Sequence, residues 1–195
     1  MCPTRPWLLW RAATDVTPAA AIPSPGHWPS LRVLGIDPGT ARLGYGLVEG
    51  DGAHLQVQGC GTLTTEATLS LPQRLAEIYR AVRRLVDESA ADVVAVEELF
   101  FSRNVRTAFA VGQARGVVLL AAAHAGLPVV EYTPQQVKQA VTGYGAAPKE
   151  QVQEMVRVLL NLAEVPRPDD TADALAVAIC HLHASRWQAL LNNAD

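Results

Sequence analysis

At 195 residues, with 49% hydrophobic and 18% charged side chains, the chain has the size and composition of one globular domain, which excludes an intrinsically disordered protein. No apolar run reaches the roughly 18 residues a membrane-spanning helix needs. The formal net charge of −3 taken alone argues against a nucleic-acid binder.

Residues 1–30 stand apart. They hold six of the 13 prolines and Trp7, Trp10 and Trp28 of the four tryptophans, and no helical or strand period survives in Thr17 to Ser30. A weak n-region and a short apolar stretch rule out a signal peptide. The reading is a poorly ordered extension over 1–30 and a folded domain over 31–195.

The domain opens with an apolar strand from Arg32 to Asp37, a Pro38-Gly39 turn and a returning strand from Leu43 to Val48. A third strand runs from about His54 to Leu63. Ser70, with Gln73 three residues on, caps a helix to about Ser89. Asp92 to Val96 reads as a buried strand, Asn104 to Ala125 as a long helix and Leu127 to Glu131 as another strand. Thr133-Pro134 with Gln136 forms a capping box with proline at the first helical position. Lys149 to Leu162 is a further helix. Asp169 or Asp170 caps the last one, which runs to about Leu191. Strands joined by tight turns are antiparallel and strands joined by helices parallel. The expected fold is therefore α/β, a mixed five-stranded sheet with helices on both faces.

Charge is unevenly spread. Between Leu99 and Lys149 lie Arg103, Arg106, Arg115, Lys138 and Lys149, against Glu131 as the single acid. A locally positive surface inside an acidic protein is what phosphate contacts require. Cys2, Cys60 and Cys180 form no C-x-x-C pair and no even framework, which points to unpaired thiols in a reducing, cytoplasmic setting.

Four acids occupy positions a globular protein does not favour. Asp37 ends the first strand and Glu97 ends the fourth. Asp170 and Asp173, three apart at a helix start, share a face. Taken singly, Asp37 also suits a turn, Glu97 a solvated strand end, and the aspartate pair an N-cap and a first-turn acid. Taken together, four clustered carboxylates would resist ionising, and a divalent cation removes that penalty. Hard oxygen donors suit Mg²⁺ or Mn²⁺, with no His/Cys set at zinc spacing to compete.

The motifs are more specific than the pattern. Leu34-Gly35-Ile36-Asp37-Pro38-Gly39-Thr40 with Gly44-Tyr45-Gly46 resembles the first motif of the RuvC family of Holliday-junction resolvases. Val96-Glu97-Glu98-Leu99-Phe100-Phe101, Gly112-Gln113-Ala114-Arg115-Gly116, Gln136-Val137-Lys138-Gln139 and Asp170-Thr171-Ala172-Asp173-Ala174-Leu175-Ala176 resemble the others, in order, from about Leu31 to His183. The resemblance implies a ribonuclease-H-like fold and an endonuclease of four-way DNA junctions. It implies that Asp37, Glu97, Asp170 and Asp173 are metal-binding and catalytic, that Phe100 stacks on junction bases, and that Lys138 and Lys149 lie close to the scissile phosphate. Arg103, Arg106 and Arg115 complete the expected DNA contacts. It also implies a homodimer working beside a branch-migration motor (RuvA/RuvB-like), and no membrane partner. Two ions per site, about 3.5–4 Å apart, suit an in-line phosphoryl displacement, with Lys149 offsetting charge on the phosphorane. The long helix, apolar nearly all round, suits burial in the core or in a subunit interface.

Three other readings compete. The first motif also resembles the phosphate loop of actin-like sugar kinases, but the chain is too short for the second domain they need. Intact acids at all four positions argue against a non-catalytic junction binder. In a related RNA-processing nuclease, the Phe100 and Gly112–Gly116 motifs would be unexpected.

Overall fold

A computed structural model describes residues 30–98 and 105–192. The elements are β1 (Leu31–Asp37), β2 (Arg42–Gly50), β3 (Leu55–Thr64), α1 (Leu71–Ser89), β4 (Val93–Glu97), α2 (Val105–His124), β5 (Val129–Tyr132), α3 (Pro134–Thr142), α4 (Lys149–Leu159) and α5 (Asp169–Asn192). The strands form one sheet in the order β3-β2-β1-β4-β5. The β1–β2 and β2–β3 pairs are antiparallel, and the β1–β4 and β4–β5 pairs parallel. This is the mixed five-stranded sheet that the turn and helix connections predict.

The period of two along each strand sorts side chains between two cores. Leu34 and Ile36 of β1, with Val94 and Val96 of β4, pack under α1 and α2. Val33, Val93 and Ala95 face the opposite way, against α3, α4 and α5. Continuing the alternation places Asp37 and Glu97 on that second face. Helix α5 lies across it, with the fully buried Ala174 and Ala178 one turn apart against Gly35. A Cβ at Gly35 would overlap the carbonyl oxygen of Ala174, and one at Gly44 that of Asp170. Glycine at these two positions is what lets the helix backbone rest directly on the central strands.

Helix boundaries follow local chemistry, with adjustments. The Gln73 amide oxygen accepts from the Ser70 backbone N–H at 2.9 Å and from its hydroxyl at 2.7 Å. Thr133 and Gln136 form the expected box, with the Gln136 N–H donating to Thr133 Oγ1 at 3.2 Å. Asp169 and Asp170 do not cap α5 from outside, because both lie within its first turn. The fifth strand starts at Val129 rather than Leu127, and the Pro128 carbonyl just before it accepts from the Val94 N–H at 3.0 Å. Cys180 is a buried free thiol, whereas Cys60 is disulfide-bonded, so the expectation of unpaired thiols does not hold for Cys60. No helix among the described residues is long and apolar enough to cross a membrane.

Candidate active site

Two adjacent parallel strands end at the same level, since Ile36 pairs with Val96 in the β1–β4 register. Their next residues, Asp37 and Glu97, emerge side by side at the carboxyl edge of the sheet. Helix α5 begins over this edge. Its first turns carry Asp169, Asp170 and Asp173, and the contact at Gly44 brings the Asp170 backbone onto β2 beside Asp37. The four sequence-selected acids therefore come from three separate elements to one place.

Their electrostatics report this proximity. Burial, followed by the charges of Asp173, Glu97 and Asp170, pushes the Asp37 carboxyl up to about 7. Burial and then Asp173 push Glu97 up to about 7 as well. Asp173 is also raised by burial, against the opposing pull of Lys149. Among the described residues, neither Asp37 nor Glu97 has a hydrogen-bond or ion-pair partner. Both carboxyls are held above the ordinary carboxylate range, by burial first and by acidic neighbours second.

The outer acids are better served. Lys149 Nζ stands 2.8 Å from Asp173 Oδ2 and 3.5 Å from Asp169 Oδ2. Burial lowers the Lys149 pKa, but Asp173 and Asp169 outweigh it and the ammonium is strengthened. Arg42 Nε lies 3.5 Å from Asp170 Oδ2, and Arg167 2.7 Å from Asp169 Oδ1. A cleft of about 190 Å³ runs alongside, lined by Glu97, Lys138, Lys149 and Asp173 with the apolar Val137 and Val152 at its wall.

Geometry qualifies two expectations. Among the described residues, no three His, Cys, Asp or Glu side chains are drawn together closely enough to hold a metal ion. The acids cluster electrostatically, but Asp170 and Asp173 are paired with Arg42 and Lys149. Arg115 is not a free cation: its guanidinium donates to Glu131 on β5, and the pair is only 24% and 32% exposed. Phe100 and Arg103 lie outside the described residues, and Arg106, in the first turn of α2, lies where side chains are not described. Arg42 and Arg167, the cations on Asp170 and Asp169, escaped sequence reasoning. The signal for Arg42 was its place just past the Pro38-Gly39 turn, in the hairpin that returns from Asp37.

The donor set is all carboxylate oxygen, with two members lacking any cationic partner. That chemistry fits a hard divalent cation.

A mixed sheet in this order, with acids at the ends of two central strands and at the start of the helix packed across them, defines a ribonuclease-H-like nuclease fold. A family model described as "Crossover junction endodeoxyribonuclease RuvC" matches residues 33–181. The crossover junction endodeoxyribonuclease RuvC of Chloroflexus aggregans is 58% identical over 155 residues, covering 80% of this chain and 94% of that protein. Its counterpart in Syntrophomonas wolfei is 55% identical over 163 residues, covering 84% and 95%. The structure of T. thermophilus RuvC in complex with Holliday junction substrate superposes with a TM-score of 0.77 at 42% identity, over 81% of this chain and 96% of that one. The chain belongs to the RuvC family of crossover junction endodeoxyribonucleases.

Proposed function

We propose that this protein resolves four-way DNA junctions by hydrolysing phosphodiesters in two opposed strands. The observation that carries the reading is the convergence of Asp37, Glu97, Asp170 and Asp173 at one sheet edge, with Lys149 and Lys138 beside them. An acidic cluster with adjacent cations suits a phosphate ester and a hard metal together.

Asp37, Glu97, Asp170 and Asp173 would hold Mg²⁺ or Mn²⁺, two ions per site. When bound, these ions supply an activated water and stabilise the leaving 3′-oxygen. The chain's own residues do the rest. Asp37 and Glu97 would serve there as carboxylates, with their protons passing to solvent. Lys149, released from Asp173, turns its ammonium to a non-bridging oxygen of the scissile phosphate and offsets charge there. Lys138 lines the same cleft as Lys149 and would hold the same strand. Water adds to phosphorus as the P–O3′ bond breaks, leaving a 5′-phosphate and a 3′-hydroxyl. Phe100, three residues past Glu97, would stack on a splayed base, and Arg103 and Arg106 would hold flanking phosphates.

A junction has two strands to cut, which suits a two-fold dimer. Helix α2 offers a face for it: Phe109 and Leu120 are 69% and 49% exposed, and the space beside Gly116 is open. These lie on one stripe of the helix, away from buried Ala114, Val118 and Ala121. A branch-migration motor is the further partner in this reading, which places the protein in the cytoplasm. Residues 31–195 are the catalytic domain, and residues 1–30 lie outside its machinery.

The test is incubation of the full chain with a synthetic four-way junction and Mg²⁺ or Mn²⁺, with products resolved strand by strand. Paired nicks in opposed strands are expected. Cleavage of linear duplex at an equal rate would overturn junction selectivity.

A further inference from the structure

The carboxylate cluster is flanked by positive charge on two sides, and only one of them matches the motif lysines. Sheet order fixes the arrangement. Across the sheet from β2 to β5, Arg42 on β2 comes first, then Asp37 on β1, Glu97 on β4 and, beyond β5, Lys138 on α3, with Asp170 paired to Arg42 and Asp173 to Lys149. Arg42 opens β2, and Lys138 belongs to α3, which follows β5. Strands β2 and β4 are two inter-strand spacings apart, about 10 Å. Arg42 therefore reaches the cluster from the side opposite Lys138.

Arg42 is also placed rather than loose. The Thr65 N–H donates to the Ala41 carbonyl at 3.1 Å, and the Thr65 hydroxyl to the Thr40 carbonyl at 2.6 Å. Arg42 itself pairs with Thr64 in the β2–β3 ladder. The backbone is pinned while the side chain stays 57% exposed, and Asp170 is its one ion-pair partner among the described residues. An exposed contact of 3.5 Å between guanidinium and carboxylate is weak and easily exchanged. Lys149 sits in the mirror position, on Asp173.

We propose that Arg42 is a phosphate-positioning residue. It grips the cut strand on the β2 side, and its pairing with Asp170 is the contact it exchanges to do so. With Asp170 serving as a metal ligand, the Arg42 guanidinium would be free to turn to the DNA. Two phosphate contacts either side of the acids then hold the strand across the site. This rests on the junction-cutting reading.

Binding tests it without turnover. Junction affinity is measured by gel shift for the full-length protein in Ca²⁺ and in EDTA, over a salt series. Arg42→Gln should weaken binding about tenfold in Ca²⁺, the size of one charged hydrogen-bonded contact. It should also lower the slope of log affinity against log salt by about one. In EDTA, where Asp170 still engages Arg42, the loss should be smaller. Arg42→Lys should keep the slope. Arg32→Gln, at the opposite end of β1 and paired with Glu49, removes the same charge far from the site and should leave both measures near wild type. Arg42→Met serves as a second uncharged variant if the first disturbs folding. An unchanged slope for the uncharged variants in Ca²⁺ overturns the proposal, as does an equal loss in Arg32→Gln. Wild-type protein that prefers linear duplex would instead sink the junction reading itself.

Discussion

Asp37→Asn should make the metal-free protein more stable while abolishing cleavage. Burial and three neighbouring carboxylates move the Asp37 carboxyl from 3.8 to about 7. Each pH unit of displacement corresponds to about 1.36 kcal/mol. The full interval would amount to about 4 kcal/mol, but part of the repulsion belongs equally to Glu97, so about 2–4 kcal/mol is expected. The sign follows from proton counting. Between about pH 4 and pH 7 the folded protein holds a proton that the unfolded chain has released, so wild-type stability falls as pH rises through that window and levels off above it. The asparagine variant lacks this titration. Its advantage should be absent near pH 4, grow to pH 7 and persist at pH 8. The assay is denaturant unfolding in EDTA at several pH values. Adding a divalent cation should then stabilise wild type, by about 2.7 kcal/mol at a hundredfold excess over its Kd, and the variant far less. The variant should still bind junctions in gel shifts. An advantage that is flat from pH 4 to 8, or a variant less stable than wild type at pH 8, refutes the electrostatic argument. Nicking within about tenfold of wild type, about 1.4 kcal/mol of barrier, removes Asp37 from the chemistry.

Gly44→Ala places a methyl group on the Asp170 carbonyl; it should cost about 1–3 kcal/mol and most of the cleavage rate, seen in paired unfolding and nicking assays. Arg115→Leu should destabilise by about 1–3 kcal/mol because Glu131 is left part-buried and unpaired, and adding Glu131→Leu should recover much of the loss. If Arg115 is a phosphate contact instead, the single variant keeps its stability and lowers the salt slope of binding. Deleting residues 1–30 should leave junction cleavage intact, and a large drop in the nicking rate would place the segment within the catalytic machinery.

The fold was legible because its signals are local. The alternation of Val33, Leu34, Gly35 and Ile36 sets which way Asp37 faces, and the Thr133–Gln136 box sets where α3 begins. The motifs located the acids, since each ends a strand or opens a helix. What stayed hidden depends on elements meeting at a distance. Nothing near Arg115 announces Glu131, sixteen residues on, because the pairing exists only once α2 lies over β5. Arg42 was likewise invisible as a site residue, because its partner arrives from α5. Counting charges between Leu99 and Lys149 located the motif lysines and missed the cation on the other side. Residues 99–104, which carry Phe100 and Arg103, lie outside the described structure, so their roles rest on the motif alone.

The charges around the acidic cluster spread its repulsion over several partners. Helix α5 points its N-terminus at the sheet edge, and the positive end of its dipole lies among the acids. Lys149 and Arg42 neutralise Asp173 and Asp170 from outside. Asp37 and Glu97, between them, are left to protonation. Each of these devices is reversible. A proton leaves as a cation enters, and an exposed ion pair opens at little cost. The glycines at 35 and 44 are not reversible: they fix the helix on the strands and so fix where the acids stand. The site thus combines a rigid backbone with exchangeable charge, and the two carboxyls at the ends of β1 and β4, which have no cationic partner among the described residues, are where a metal ion would contribute most.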